Sequence, residues 1–292
     1  MFQGSYVALV TPMLDSGEID YSSLADLVEF HIRNNTHGIV AVGTTGESAT
    51  LPFSEHIKVI KFIVQHTAKK IPVIAGSGAN ATSEAVFLTT EIEKLGVDGF
   101  LSVVPYYNKP QQAGLVAHFT AVANASKLPL MLYNVPSRTV LDMHTSTIAK
   151  LASHPNIVGV KDATGDLTRL SEMQSILPRD FLLFSGDDAT GCAFMNNGGH
   201  GVISVSANVV PKQMSQMCEY AIAGKHKQAT VIDNDLQALH HKLFLEPNPV
   251  LPKWALYKMN KIKSPFLRLP MVLPELNQQT SIEQELKEIG II

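Results

Sequence analysis

Short β-branched, apolar runs recur along the chain, and amphipathic stretches separate them. The runs predict strands at Tyr6–Thr11, Gly38–Gly43, Pro72–Gly76, Gly99–Val104, Leu130–Val135, Ile157–Asp162, Phe181–Gly186 and Gly201–Ser206. Several are apolar almost throughout, as strands become when helices cover a parallel sheet. Between them, Ala85, Leu88, Ile92 and Leu95 fall at helical spacing with Gly96 as a stop signal, and Ile57, Ile60 and Val64 form a similar stripe. Eight evenly spaced strand–helix units match a TIM (β/α)8 barrel better than a doubly wound sheet. The last ~70 residues change character. They predict helices at Ala221–Phe244, Pro249–Met259 and Ile282–Ile289, with Asn248 capping the second and Pro249 at its first position. The expected organisation is an α/β barrel over residues 1–224 and a C-terminal helical extension, 225–292, packed on it.

Composition narrows the function classes. The chain has 292 residues, 45% hydrophobic and 17% charged, with a formal net charge of −3. That balance gives no electrostatic reason to expect nucleic acid or an anionic membrane as partner. No apolar run approaches the ~20 residues of a spanning helix. Residues 1–13 lack the basic start and small-residue cleavage site of a signal peptide. Cys192 and Cys218 have no CxxC neighbour, so small buried hydrophobes in a reducing cytoplasm are expected rather than a disulfide or zinc site.

In a barrel of this kind the active site lies at the C-terminal ends of the strands. Lys161 ends the sixth, after Ile157-Val-Gly-Val160. Burial disfavours the charged form of an amine, and a neutral amine is the nucleophile that forms a Schiff base with a carbonyl. Taken alone, a strand-end lysine more often snorkels to solvent than reacts. Gly43-Thr-Thr-Gly-Glu-Ser48 follows the second strand and offers backbone N–H groups and hydroxyls to a small anion. Tyr106 and Tyr107 follow the fourth. Tyr133 closes the fifth, facing the same way as Met131 and Val135, where its hydroxyl can move protons beside a lysine. Arg138, a few residues on, suits a carboxylate. Asp187 and Asp188 end the seventh without neighbours at metal-ligand spacing, so Asp188 is expected to cap the next helix and no metal is expected. Gly198-Gly-His-Gly201 lies at the wrong end of its strand for catalysis and predicts a tight turn.

Three segments together carry a family resemblance: Gly38-Ile-Val-Ala-Val-Gly-Thr-Thr-Gly-Glu47, Tyr133-Asn-Val-Pro-Ser-Arg138 and Gly159-Val-Lys-Asp-Ala163. With Glu246-Pro-Asn-Pro249, they closely resemble the dihydrodipicolinate synthase (4-hydroxy-tetrahydrodipicolinate synthase) family of pyruvate-dependent class I aldolases. The resemblance implies a lyase of lysine and diaminopimelate biosynthesis that condenses pyruvate with L-aspartate 4-semialdehyde through a Schiff base on Lys161, without a cofactor. It implies a proton relay of Tyr133, Thr44 and Tyr107, the last reaching in from a neighbouring subunit of a dimer or dimer of dimers. It assigns Thr45 to the pyruvate carboxylate, Arg138 to the second substrate, and Gly186 and Ile203 to site-lining carbonyls. It also implies an inhibitory L-lysine site of Ser48, Ala49, His56, Asn80, Glu84 and Tyr106. Phe53 departs from that pattern, where a histidine is common, so weakened inhibition is expected.

The nearest alternative is a sister aldolase such as N-acetylneuraminate lyase or a keto-deoxy-sugar aldolase, which shares the lysine and tyrosine. Thr44-Thr45 and Arg138 favour the small acidic aldehyde. A barrel holding pyridoxal phosphate on Lys161 would need a phosphate cup after the seventh or eighth strand, which the sequence does not show. A non-catalytic binding protein on the same fold is the remaining class, since fold does not fix function.

Overall fold

A computed structural model describes residues 2–292. The strands are β1 (Gly4–Ala8), β2 (Gly38–Ala41), β3 (Val73–Gly76), β4 (Gly99–Val103), β5 (Leu130–Asn134), β6 (Ile157–Asp162), β7 (Leu182–Ser185) and β8 (Gly201–Ser204). All pair in parallel in chain order, and β1 meets β8 through Gly4 and Gly201, closing the barrel. The helices that follow the first seven strands are α1 (Tyr21–Arg33), α2 (Phe53–Thr67), α3 (Thr82–Glu93), α4 (Gln112–Asn124), α5 (Pro136–Thr139), α6 (Thr145–Leu151), α7 (Leu167–Ile176) and α8 (Asp188–Asn196). Then come α9 (Pro211–Ile222), α10 (His226–Lys242), α11 (Val250–Lys258) and α12 (Leu276–Glu288). This is the TIM barrel with C-terminal helices that the periodicity predicts.

Strand alternation splits the apolar side chains into two clusters. Tyr6, Ala8, Val40, Ile74, Leu101, Met131, Leu182, Phe184 and Ile203 fill the barrel interior. The larger cluster lies between strands and helices. Two aromatic rings fit inside because two positions carry no side chain. A Cβ on Gly38 would lie 2.1 Å from the Tyr6 ring, and one on Gly201 would lie 2.3 Å from the Phe184 ring. The two rings meet edge to face at 5.6 Å.

Several boundaries differ from the sequence expectation. β1 starts earlier, because Gly4 and Ser5 pair with Gly201 and Val202 of β8, and stops earlier, where the Asn208 side chain donates to the Ala8 carbonyl (2.8 Å) and accepts from Val10 N (3.1 Å). The helix expected over Ala221–Phe244 is two helices, α9 and α10. Gly224 sits at φ +71°, with its N–H bonded to Ala221 O and Lys225 N–H to Tyr220 O, a pattern that closes α9. On α2 the buried stripe is His56, Val59, Ile60, Ile63 and Thr67, with Ile57 and Val64 only partly covered. Asp188 is not the cap of α8. Asp187 is, accepting from Thr190 N at 3.0 Å. Asp188 lies inside the helix, buried, and one carboxylate oxygen accepts both Val205 N and Ser206 N at 2.9 Å. That bond holds the chain leaving β8. Gly198-Gly-His-Gly201 forms the expected tight turn, with His200 Nδ1 accepting from Leu183 N. Cys192 and Cys218 are free and buried. Among the described residues, no helix is long and apolar enough to cross a membrane.

The C-terminal segment is tied to the barrel by charge as well as packing. Lys253 on α11 is 0% exposed, and its ammonium donates to Glu47 Oε1 at 2.6 Å. Burial pushes the Lys253 ammonium below its usual range, opposed by the Glu47 carboxylate. Glu47 Oε2 accepts Arg268 N at 3.2 Å, and the Arg268 guanidinium pairs with Glu55. Removing one partner of a buried pair strands the other charge. Lys253→Met should therefore lower stability by about 3–5 kcal/mol in chemical denaturation, and adding Glu47→Gln should recover part of that loss.

Candidate active site

Register brings the two central residues together. β5 and β6 pair Leu130 with Ile157 and then Met131 with Gly159, so Val158 is an extra residue in β6. After this bulge, Tyr133 lies directly beside Lys161, which also pairs with Phe184 of β7. In parallel strands paired residues share a face, here the barrel interior. Lys161 Nζ sits 4.2 Å from the centre of the Tyr133 ring.

Lys161 is 5% exposed. Among the described residues, no carboxylate lies within ion-pair distance of it. The chain's other deeply buried lysine, Lys253, has a carboxylate at 2.6 Å. Space for the Lys161 stem comes from Gly186, just past β7. A Cβ there would lie 2.6 Å from Lys161 Cε and 2.7 Å from Ala163 Cβ. Ile203, on β8, is buried in the same interior cluster.

The neighbours of Tyr133 and Lys161 in the chain point outward and lock the two strands. Asn134 donates to Asp142 Oδ1 (2.8 Å) and accepts from Met143 N (2.9 Å). Arg169 donates through Nε to Asp162 Oδ2 (2.8 Å) and through Nη1 to Asp142 Oδ2 (3.0 Å). One guanidinium thus joins the segments that follow β5 and β6. None of Asn134, Asp142, Asp162 and Arg169 is singled out by the sequence, although Asn134 and Asp162 each directly follow a singled-out residue.

Thr44 and Thr45 occupy the tight turn after β2, where Gly46 N bonds to Gly43 O and Glu47 N to Thr44 O. Thr45 is buried and Thr44 partly exposed. Val42 and Glu47, on either side, adopt left-handed φ angles of +52° and +59°. Arg138 lies on the short α5, exposed, and its Nη2 donates to the Asn248 carbonyl at 3.1 Å. Asn248 is not the helix cap expected of it. α11 starts two residues later, and the Asn248 side chain instead donates to Thr45 Oγ1 at 2.9 Å. The structure therefore draws Thr45 and Arg138 to a common third residue.

Tyr107 is not gathered into this group within one chain. It is 90% exposed, at φ +71°. Of the six residues expected to bind L-lysine, Ala49 and Glu84 are exposed and Ser48 and Asn80 half-buried. The Tyr106 hydroxyl is raised above its usual range by burial and then by Glu84. His56 is buried and donates through Nε2 to Gly76 O at 2.8 Å, and burial lowers its pKa. Phe53 stacks on Phe87 at 5.9 Å. A cleft of about 620 Å³ lies at the opposite end of the barrel, lined by Pro129, Ile157, Phe181 and Leu182, and contains none of these groups.

The model of the dihydrodipicolinate synthetase family matches residues 1–289. A 4-hydroxy-tetrahydrodipicolinate synthase from Pseudoalteromonas atlantica is 65% identical over the full length of both chains, and one from Laribacter hongkongensis is 52% identical over the same extent. Among solved structures, the chloride-inhibited dihydrodipicolinate synthase of Acinetobacter baumannii in complex with pyruvate covers both chains fully at 48% identity and a TM-score of 0.98. A Cyanidioschyzon merolae enzyme with lysine bound is 38% identical, with a TM-score of 0.95 over 100% of this chain and 99% of that one. A fold shared over its whole length, and a family model spanning all but the last three residues, place this chain in the dihydrodipicolinate synthetase family.

Proposed function

We propose that the chain condenses pyruvate with L-aspartate 4-semialdehyde to give 4-hydroxy-tetrahydrodipicolinate, with Lys161 as the nucleophile. The observation that carries this reading is the Lys161 amine: buried, without a carboxylate partner, and against the Tyr133 ring. An amine so placed, and not tied up in an ion pair, is a nucleophile that can form a Schiff base with a carbonyl. Full-length relatives named for this synthase support it over N-acetylneuraminate lyase.

The Lys161 amine adds to the pyruvate ketone and water leaves, giving an iminium. The iminium draws electrons from the methyl group, which loses a proton to give an enamine. The enamine carbon bonds to the aldehyde carbon, and the aldehyde oxygen takes up a proton. The amine of the joined aldehyde fragment then attacks the iminium carbon, displaces Lys161 and closes the ring. No added cofactor is needed, because the iminium is itself the electron sink.

Tyr133, whose ring centre lies 4.2 Å from the amine, is the proton carrier, with Thr44 and Tyr107 completing the relay. Thr45 holds the pyruvate carboxylate and Arg138 that of the aldehyde substrate. Gly186 and Ile203 line the site. Tyr107 enters from a second copy of the chain in a dimer, itself paired into a tetramer. Its exposure and left-handed backbone suit a ring that is packed only on association.

Borohydride reduction in the presence of pyruvate should leave a stable adduct on the Lys161 peptide, found by mass mapping and lost in Lys161→Ala. An adduct elsewhere, or none, would refute the mechanism. Gly186→Ala should slow trapping, because the added methyl displaces the Lys161 stem; an unchanged rate would show that this spacing does not matter.

L-Lysine is the proposed inhibitor, at Ser48, Ala49, His56, Asn80, Glu84 and Tyr106. Glu84 offers a carboxylate to its ammonium. Phe53 contributes only an apolar face, already stacked on Phe87. L-Lysine should therefore inhibit weakly, and Phe53→His should lower the half-inhibitory concentration in a coupled assay. Equal sensitivity of the two proteins would remove Phe53 from the effector site.

A further inference from the structure

The Glu246-Pro-Asn-Pro249 segment stands out in the sequence, and the reaction as proposed gives it no role. In the structure it runs between α10 and α11 and places Asn248 against the active face. Asn248 is 4% exposed. Its side-chain nitrogen donates to Thr45 Oγ1 at 2.9 Å, and its backbone carbonyl accepts the Arg138 guanidinium at 3.1 Å. Its Oδ1 is buried and, among the described residues, has no partner. One residue from the C-terminal segment thus touches both groups proposed to hold the two substrates' carboxylates.

We infer that Asn248 is a positioning residue, which orients the Thr45 hydroxyl toward pyruvate and sets its spacing from Arg138. The inference rests on the proposed reaction. Its physical content is the direction of the hydrogen bond. A hydroxyl has one hydrogen and two lone pairs. When Asn248 donates to one lone pair, the Thr45 hydrogen is left free to be donated to an anion. An acceptor in the place of Nδ2 would draw that hydrogen back.

The attachment is firm at two points. Lys253 is five residues beyond Asn248 and reaches Glu47, two residues beyond Thr45. The Thr44–Glu47 turn is therefore held from the C-terminal segment at both Thr45 and Glu47. Rotation of the turn would break a buried ion pair as well as the Asn248 bond.

The test measures half-saturation by pyruvate in borohydride trapping, together with KM for each substrate, kcat and melting temperature. Asn248→Ala removes the donor without adding charge. It should raise pyruvate half-saturation by about tenfold and the aldehyde KM by a smaller factor, with kcat changed less than either. Asn248→Asp keeps the shape and reverses the hydrogen bond, and should weaken pyruvate at least as much. Wild-type half-saturation in either folded variant would overturn the inference. So would a fall in melting temperature with both KM values unchanged, or failure of both variants to fold. Trapping of the wild-type protein separates the two levels. No wild-type adduct sinks the proposed reaction, whereas a normal wild-type adduct with unaffected variants sinks only the role of Asn248.

Discussion

A lysine amine enclosed in protein without a carboxylate is the constraint around which the active end of the barrel is arranged. Among the described residues the chain holds two deeply buried lysines and treats them in opposite ways. Lys253 meets Glu47 at 2.6 Å, and the carboxylate offsets part of the cost of burying the ammonium. Lys161 meets an aromatic ring and the space left by Gly186. A ring face attracts a cation far less than a carboxylate does, about 0.5–2 kcal/mol at most sites. The ring therefore borders the amine without holding it in an ion pair. The same burial encloses an ion pair at Lys253 and leaves the Lys161 amine without one among the described residues; the difference lies in what stands within hydrogen-bonding reach.

Keeping that amine in place requires rigid strand ends, and strand alternation supplies them. Tyr133 and Lys161 point into the barrel, so Asn134 and Asp162 must point out. There they join Asp142 and Arg169 in one network. The polar residue that follows each inward residue thus braces the backbone that presents it. On the far side of the mouth, the Thr44–Glu47 turn cannot be braced by strand pairing, because β2 ends at Ala41. Its support comes from the C-terminal segment, through Asn248, Lys253 and Arg268.

The barrel was legible in the sequence because each strand is a short apolar run and each helix repeats at its own period. Lys161, Tyr133, Thr44 and Thr45 were legible because strand ends can be located and their chemistry is unusual there. Asn248 and Lys253 were not. Their partners Thr45 and Glu47 lie 203 and 206 residues away, and local pattern carries no trace of such a contact. A cap before a proline was the local explanation of Asn248, and it failed because a stronger tertiary bond claims the side chain. Asp188 departs from its local expectation for a related reason. Two adjacent aspartates both fit a helix start, and only the fold shows that Asp187 caps while Asp188 holds the exit from β8. The break at Gly224 was visible in principle, since glycine closes helices through its left-handed conformation.

Tyr107 marks the limit of what one chain can display. A bulky residue in the left-handed region costs about 1–3 kcal/mol, and an aromatic ring left 90% in water gains no burial in return. Neither feature is stabilising in the isolated chain. The exposure is removed and the backbone cost offset if the ring is received by a second copy, since burying an aromatic side chain contributes about 1.5–3 kcal/mol. On that account the backbone is strained in advance so that the ring projects outward, and association supplies the compensation. The proton relay and the subunit interface would then be one structure, and a chain that failed to associate would lack a relay member rather than merely a neighbour.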